Sequence, residues 1–321
     1  VATLYLDATA LKGFSDCREY FRRQQIEKIE PVKPSTYYTF GTAIHRSVEA
    51  FWRGESYEKA LNEAYEVTNT YPVQLLNPPE LDTWERLVKC TPDVLAVYYD
   101  SVHYSPEALL WVEKEWSIPF RYDNNPNLSL VRTQVILCGR MDRLMAGPRL
   151  VDVKTASEIS QQGVPWKQQY RQDKVLDLQF ALYDWYLCQI CAQCGERKGS
   201  HPDHEFVSMA PIEIYLEVLL KPYKSKAARY ERIDLNELIT ESYRKRFRQQ
   251  LKWKVSEIVH YVENYSQQKP WPLAGGLACS SRYGTCQFQP ICSFGESPKL
   301  MAKYKTREPH LELVKLAEAG K

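Results

Sequence analysis

Apolar positions change their period along the chain. In the first third they recur at helical spacing; Ile44, Val48 and Phe51 fall at i, i+4 and i+7. The pattern predicts helices over 7–27 and 40–66. The segment 77-NPPELDTWERLVKC-90 sets prolines and acidic residues at a helix start, and this helix is expected to run on to Val102. Alternation then takes over. Residues 111–120, 128–139 and 149–155 read as strands, with turns at Asp123–Pro126 and Gly147–Pro148. A helix over 173–194, a strand over 212–220 and a long basic helix over 235–266 follow. From Pro270 the chain is rich in proline and cysteine and reads as irregular. This order predicts an α/β fold whose sheet is flanked by helices.

Composition narrows the picture a little. The 321 residues, 44% hydrophobic and 12% aromatic, supply one large core or two modest ones. Lys+Arg total 42 against Asp+Glu 40, a net charge of +2, so a nucleic-acid surface must come from local clustering. No apolar run reaches the ~20 residues that span a bilayer. The opening VATLYLDATALKGFSDC lacks a basic stretch followed by an apolar one. Nine cysteines, an odd number unevenly spread, suit an intracellular chain that uses thiols for metal or as small core residues. The expectation is a soluble, cytoplasmic protein with no membrane partner.

The stretch 138-CGRMDRLMAGPRLVDVKTAS-157 stands out because it sets charges among apolar strand residues. In 150-LVDVKT-155 alternation points Asp152 and Lys154 one way and Val151 and Val153 the other. A turn near Gly147 folds Asp142 back beside Asp152. Two carboxylates meeting at a strand edge make a hard oxygen site for Mg²⁺ or Mn²⁺. A lysine beside them can hold an attacking water or offset charge on a phosphoryl group. Without companions, such a triplet reads as a hairpin with a surface Asp–Lys pair.

Companions are present. In 41-GTAIHRSVEAFW-52, His45 and Glu49 lie i, i+4 on an otherwise apolar helix. His45 is either a packed core histidine or a further metal ligand, and as a ligand it would favour Mn²⁺. In 177-DLQFALYDWYL-187, Gln179 and Tyr183 are spaced the same way. They form an amphipathic helix edge, or they orient the lysine or touch a scissile strand.

Gly-Thr-x-x-His, Gly-x-x-Asp, Asp-x-Lys-Thr and Gln-x-x-x-Tyr, in that order, resemble the PD-(D/E)XK nuclease superfamily and, within it, the RecB-type branch. The resemblance spans about 7–295 and implies a restriction-endonuclease-like central mixed sheet flanked by helices. It implies a single nuclease domain over 1–295, helical over 1–105, with the catalytic sheet over 106–233 and a helix and cluster-binding segment over 234–295, then a tail over 296–321. It further implies Asp142, Asp152, Lys154, Gln179 and Tyr183 as catalytic, and His45, Asp142, Asp152 and the Val153 carbonyl as metal ligands. Met141 stands where a proline is common in the superfamily.

The cysteines extend the resemblance. 279-CSSRYGTCQFQPIC-292 has the spacing C-x6-C-x5-C, and Cys17 lies far away in 14-FSDCREYFRR-23. One early cysteine and three late ones resemble the iron–sulfur nucleases of this branch, among them the CRISPR-adaptation exonucleases and the AddB subunit of helicase–nuclease complexes. The implied group is a [4Fe–4S] cluster on Cys17, Cys279, Cys286 and Cys292, joining the chain ends; thiolates suit it. The first gap is longer than the x2 or x3 usual there. Cys188, Cys191 and Cys194, with His201 and His204, offer zinc ligands, but consecutive x2 gaps on a helix spread around it, and these read as small core or surface residues. Cys90 and Cys138 read as core.

Basic residues cluster at Arg18, Arg22 and Arg23, at Lys221, Lys224, Lys226 and Arg229, and at Arg244, Arg246 and Arg248 within SYRKRFRQQLKWK. Each cluster is a solvated face or part of a phosphate track, with Tyr243, Phe247 and Trp253 stacking or packing. The expected function is a metal-dependent exonuclease on single-stranded or frayed DNA, with protein partners in recombination, phage replication or CRISPR adaptation. The alternative is a DNA-end-binding or assembly subunit whose nuclease fold is structural.

Overall fold

The computed structural model describes residues 2–122, 133–147, 149–156, 168, 170, 178–196, 213–222, 227–265, 271–274, 279–281 and 284–307. At its centre is a six-stranded mixed sheet: β1 (Ala2–Leu6), β3 (Leu109–Pro119), β4 (Thr133–Met145), β5 (Arg149–Ala156), β6 (Glu213–Leu220) and β7 (Arg229–Asp234). The order is β1-β4-β5-β6-β7, with β3 paired to β4. Two pairs, β1–β4 and β5–β6, are parallel; the other three are antiparallel.

β4 organises the rest. Along one edge it pairs antiparallel with β3. Along the other it pairs with β1 through 133–137 and with β5 through only 143–145. A gap is left at 138–142, between β1 and β5, and Asp142 lies in it.

The two sheet faces build separate cores. One gathers Leu137, Met141, Leu150 and Leu216 under α1 (Ala8–Asp16), α7 (Leu178–Glu196) and α8 (Glu241–Tyr265). The other gathers Val153 and Leu219 under α3 (Thr36–Trp52), α4 (Tyr57–Asn69), α5 (Pro78–Lys89) and α6 (Thr91–Ser101). This is an α/β fold with a mixed sheet between helices, as expected.

The early helices are shorter than their periodicity predicts. Cys17, at φ −162° and ψ 119°, breaks 7–27 into α1 and α2 (Arg18–Phe21), which runs into a π-helical turn over Arg22–Ile26. Gly54, at φ +82°, separates α3 from α4; that left-handed backbone is open to glycine at little cost. The helix expected over 77–102 is two, divided at Cys90. Pro92 sits in the first turn of α6, where its missing N–H costs nothing. An Asn77–Glu80 capping box starts α5. β1 and β7 were not expected as strands. The turn at Asp123–Pro126, Pro148, residues 128–132 of one expected strand and 173–177 of one expected helix lie outside the described residues.

The end of the chain is tied back to its beginning. β8 (Tyr304–Thr306), in the stretch expected as a tail, pairs antiparallel with β2 (Ile29–Pro31). Phe288 stacks on Tyr304 and meets Tyr20 edge-on. The Trp271 amide donates to Glu19 Oε2 at 2.9 Å. Among the described residues no helix is long and apolar enough to cross a membrane.

Candidate metal and phosphodiester site

The site forms in the gap beside β4. The β4–β5 ladder ends at the Arg143–Val151 pair. Beyond it the Val153 amide donates to Asp142 Oδ2 at 2.8 Å, where a continued ladder would have offered a carbonyl. The Arg140 carbonyl, also in the gap, accepts from Tyr183 Oη. Gly139, second in this stretch, makes room for the Trp116 indole: a Cβ there would lie 2.8 Å from it.

α3 lays His45 over the gap, with Nδ1 3.4 Å from Asp142 Oδ2. Burial lowers the imidazole pKa, with Asp142 opposing, and the ring also hydrogen-bonds the Val153 backbone. A histidine lowered in this way is neutral near pH 7 and keeps a lone pair for a metal.

Glu113 is the third member. Val112 and Lys114 pair with Arg143 and Met141, so Glu113 stands across from Asp142. Its backbone is left-handed, φ +48°, unusual for a residue with a Cβ. Ligand atoms of His45, Glu113 and Asp142 all lie within 4.8 Å of one another. Burial, and then the Asp142 charge, push the Glu113 carboxyl up to about 8, with Arg140 opposing. Arg140 Nε reaches Glu113 Oε2 at 2.8 Å. One imidazole and two carboxylates crowded together, with a carboxyl driven towards its neutral form, fit a divalent cation such as Mg²⁺ or Mn²⁺.

Asp152 and Lys154 share a face of β5, as alternation predicts. Asp152 has 0% side-chain exposure, and its Oδ2 lies 2.7 Å from Lys154 Nζ. Burial alone would lower the lysine pKa, but Asp152 and then Asp142 more than offset it and raise it. Gln179, on α7, donates to Asp152 Oδ1 at 2.9 Å, and Tyr183 Oη lies 2.7 Å from its amide nitrogen. Asp152 is therefore held by Lys154 and Gln179 and stands outside the His45–Glu113–Asp142 group.

Arg143 lines the same small pocket as His45, Glu49, Glu113 and Asp142. Its guanidinium lies 4.1 Å over the Trp52 ring and pairs with Glu217 at 2.6 Å, the two side chains 3% and 5% exposed. Tyr98 Oη accepts from Arg143 at 2.8 Å and from Trp52 at 2.8 Å, and donates to Glu217 at 2.9 Å. The network pins α3 and α6 to β4 and β6 directly behind the site.

Glu113, Arg140 and Arg143 were not expected from the sequence. The only sequence signal for Glu113 is its place in the strand stretch 111-WVEKEW-116, on the parity of Trp111 and Glu115; the register that sets it across from Asp142 is not written there.

The basic residues divide. Arg22 and Arg23, expected on a DNA-facing surface, are instead buried. Arg22 pairs with Glu19 at 2.6 Å and Glu27 at 2.5 Å, and Arg23 with Glu19, Glu27 and Glu296. Guanidiniums inside such a network are unavailable to phosphate. Arg18 pairs with Glu257 at 2.5 Å, and Arg244 with Asp184 at 3.0 Å. Arg246 and Arg248 are exposed on α8, whereas Phe247 is buried. Lys224 and Lys226 lie outside the described residues, as do His201 and His204 and the side chains of Cys191 and Cys194.

Cys17, Cys279, Cys286 and Cys292 come together. The Cys286 amide donates to the Cys279 carbonyl at 2.9 Å. Burial raises the Cys286 thiol, and Cys17 and Cys279 are close enough to add to the shift. Burial also raises the Cys292 thiol to about 11, with Glu19, Cys286 and Cys17 adding to it. None of the four forms a disulfide.

A family model for the PD-(D/E)XK nuclease superfamily matches residues 6–293. No curated protein matches. One solved structure that does is a Eubacterium rectale protein named only provisionally as an exonuclease. It is 12% identical, with a TM-score of 0.44, over 93% of this chain and 92% of that one. A likeness that loose says nothing about what this chain acts on.

Proposed function

The chain belongs to the PD-(D/E)XK nuclease superfamily, and on that premise we propose that it is a divalent-metal-dependent deoxyribonuclease trimming single-stranded or frayed DNA ends. The observation that carries this is the meeting of His45, Glu113 and Asp142 beside the Asp152–Lys154 pair, where β4 and β5 part. His45, Glu113 and Asp142 would hold Mg²⁺ or Mn²⁺, with Asp152 and the Val153 carbonyl beside them. A bound divalent ion supplies Lewis acidity and an acidified water.

The rest falls to the chain. Lys154, kept protonated by Asp152 and Asp142, orients the attacking water and offsets charge on the phosphoryl oxygens. Gln179 fixes Asp152, and Tyr183 fixes the β4 backbone at Arg140. The water oxygen bonds to phosphorus and gives up a proton to solvent, the phosphorus–O3′ bond breaks, and the leaving oxygen takes up a proton from solvent. This work belongs to end resection of the recombination, phage-replication or CRISPR-adaptation kind.

Cys17, Cys279, Cys286 and Cys292 would hold a [4Fe–4S] cluster, a cross-link between chain ends. Support comes from the nearness of the four thiols: Cys17 and Cys279 act on the Cys286 thiol, and Cys286 and Cys17 on that of Cys292. The test of the nuclease reading is purified protein with Mn²⁺ on 5′- and 3′-labelled single strands, duplexes and a single-stranded circle. Linear single strands should shorten, the circle should survive, and chelator should stop the reaction. A folded protein that cuts no DNA with either ion refutes it; a circle cut as fast as a linear strand refutes the exonuclease part.

A further inference from the structure

α3 begins with two exposed aromatics, Tyr37 at 56% and Tyr38 at 74%. Nothing in the site described so far uses them. Single exposed aromatics need no explanation; an adjacent pair at the rim of a site asks for one.

Their position is fixed by contacts. Tyr38 precedes His45 by seven residues, so it lies on the same face of α3, two turns or roughly 10 Å away. Gly41, between them, faces β5: a Cβ there would lie 3.6 Å from Thr155 Oγ1, one residue past Lys154. The start of α3 therefore overhangs the end of the strand that carries Asp152 and Lys154. Tyr37 turns to the other flank, where Lys221 Nζ lies 4.8 Å from its ring centre and 5.6 Å from that of Phe40. The Lys221 amide donates to the Ala156 carbonyl at 3.0 Å, so this cation stands at the same strand end.

Two rings in water beside a fixed cation, one end of a path that leads to a phosphodiester site, match an unpaired polynucleotide. Bases stack on rings whatever their sequence, and the cation complements the phosphates between them. We propose that Tyr38 and Tyr37, with Lys221, form a stacking platform for unpaired bases of the strand whose backbone reaches His45 and Asp142. A duplex keeps its bases stacked on each other and uses the platform only where its end frays. The assignment rests on the nuclease reading and names how that site selects single strands.

The test reads binding, in chelator so that nothing is cut. The probes are labelled oligothymidylate and an abasic deoxyribose-phosphate oligomer of equal length, which keeps the phosphates and lacks the bases. Wild-type protein should prefer oligothymidylate. Y38A and Tyr38→Leu should weaken oligothymidylate binding by roughly 5–150-fold, the worth of one stacked base at about 1–3 kcal/mol. Abasic binding should stay unchanged, and Tyr38→Phe should restore the preference. A Tyr38→Leu protein with wild-type melting and wild-type preference overturns the proposal, as does equal loss on both probes. Failure of the nuclease reading looks different: oligothymidylate is bound in preference and never cut.

Discussion

Replacing Glu217 by leucine should cost far more than the size of the change suggests. The substitution removes the partner of Arg143 and leaves a guanidinium, 3% exposed, buried without its counter-charge. Breaking a buried pair from one side costs about 3–5 kcal/mol. Tyr98 also loses its acceptor at 2.9 Å, about 1 kcal/mol more. At roughly 2 °C per kcal/mol for a chain above 150–250 residues, the melting temperature should fall by roughly 8–12 °C. The diagnostic is the double variant Arg143→Met with Glu217→Leu. It removes both charges, keeps the apolar volume over Trp52, and should recover most of the loss, because well-packed apolar residues replace a buried ion pair at little cost. Urea unfolding of the four proteins closes the cycle and reads the coupling directly. A single variant within 1 kcal/mol of wild type, or a double variant no better than the single, would refute the account of Arg143 and Glu217 as a mutually dependent buried pair.

Further outcomes follow from the site. Asp142→Asn, Asp152→Asn and Lys154→Ala should each reduce cleavage by at least about 10²-fold, the last two with a lower melting temperature because they break the pair at a carboxylate of 0% exposure; a folded Lys154→Ala protein cutting at the wild-type rate would remove that residue from the chemistry. Glu113 gives a pH signature. Its carboxyl, raised from 4.5 to about 8 in the metal-free fold, contributes stability that is present below 4.5 and lost as pH rises towards 8. In chelator the melting temperature should therefore fall between pH 5 and 8.5, Mn²⁺ should raise it more at pH 8.5 than at pH 5, and Glu113→Gln should flatten both trends. Protein purified without oxygen should be brown and carry four irons. Cys17→Ser, Cys279→Ser, Cys286→Ser or Cys292→Ser should bleach it and Cys188→Ser should not; a colourless protein with stoichiometric zinc would move the metal elsewhere.

What could be read from the sequence is what short-range patterns encode. Alternation located β3, β4 and β5 and set Asp152 and Lys154 on one face, because a strand's two-residue period needs no partner to be visible. Motif order supplied His45, Gln179 and Tyr183, and the structure brings all three to the β4–β5 edge. Long-range register was not readable. Glu113 enters the site only through the β3–β4 pairing, and β1 depends on β4 having length to spare. Charge misled where burial decided: Arg22 and Arg23 look like a basic face until Glu19, Glu27 and Glu296 fold onto them, one from 273 residues away. Cysteine and proline likewise made the C-terminal stretch look shapeless, although β8 and Phe288 anchor it to β2 and Tyr20.

The left-handed backbone at Glu113 sets heat resistance against activity. A residue with a Cβ at φ +48° holds about 1 kcal/mol that glycine would release, and glycine would also remove a carboxyl that repels Asp142. A library selected only for survival at high temperature, without metal, should therefore enrich Glu113→Gly and discard the proposed metal ligand along with the strain. Any thermostabilised descendant of this chain must be screened for cleavage at every round, since a gain in stability lies on a residue of the proposed metal site.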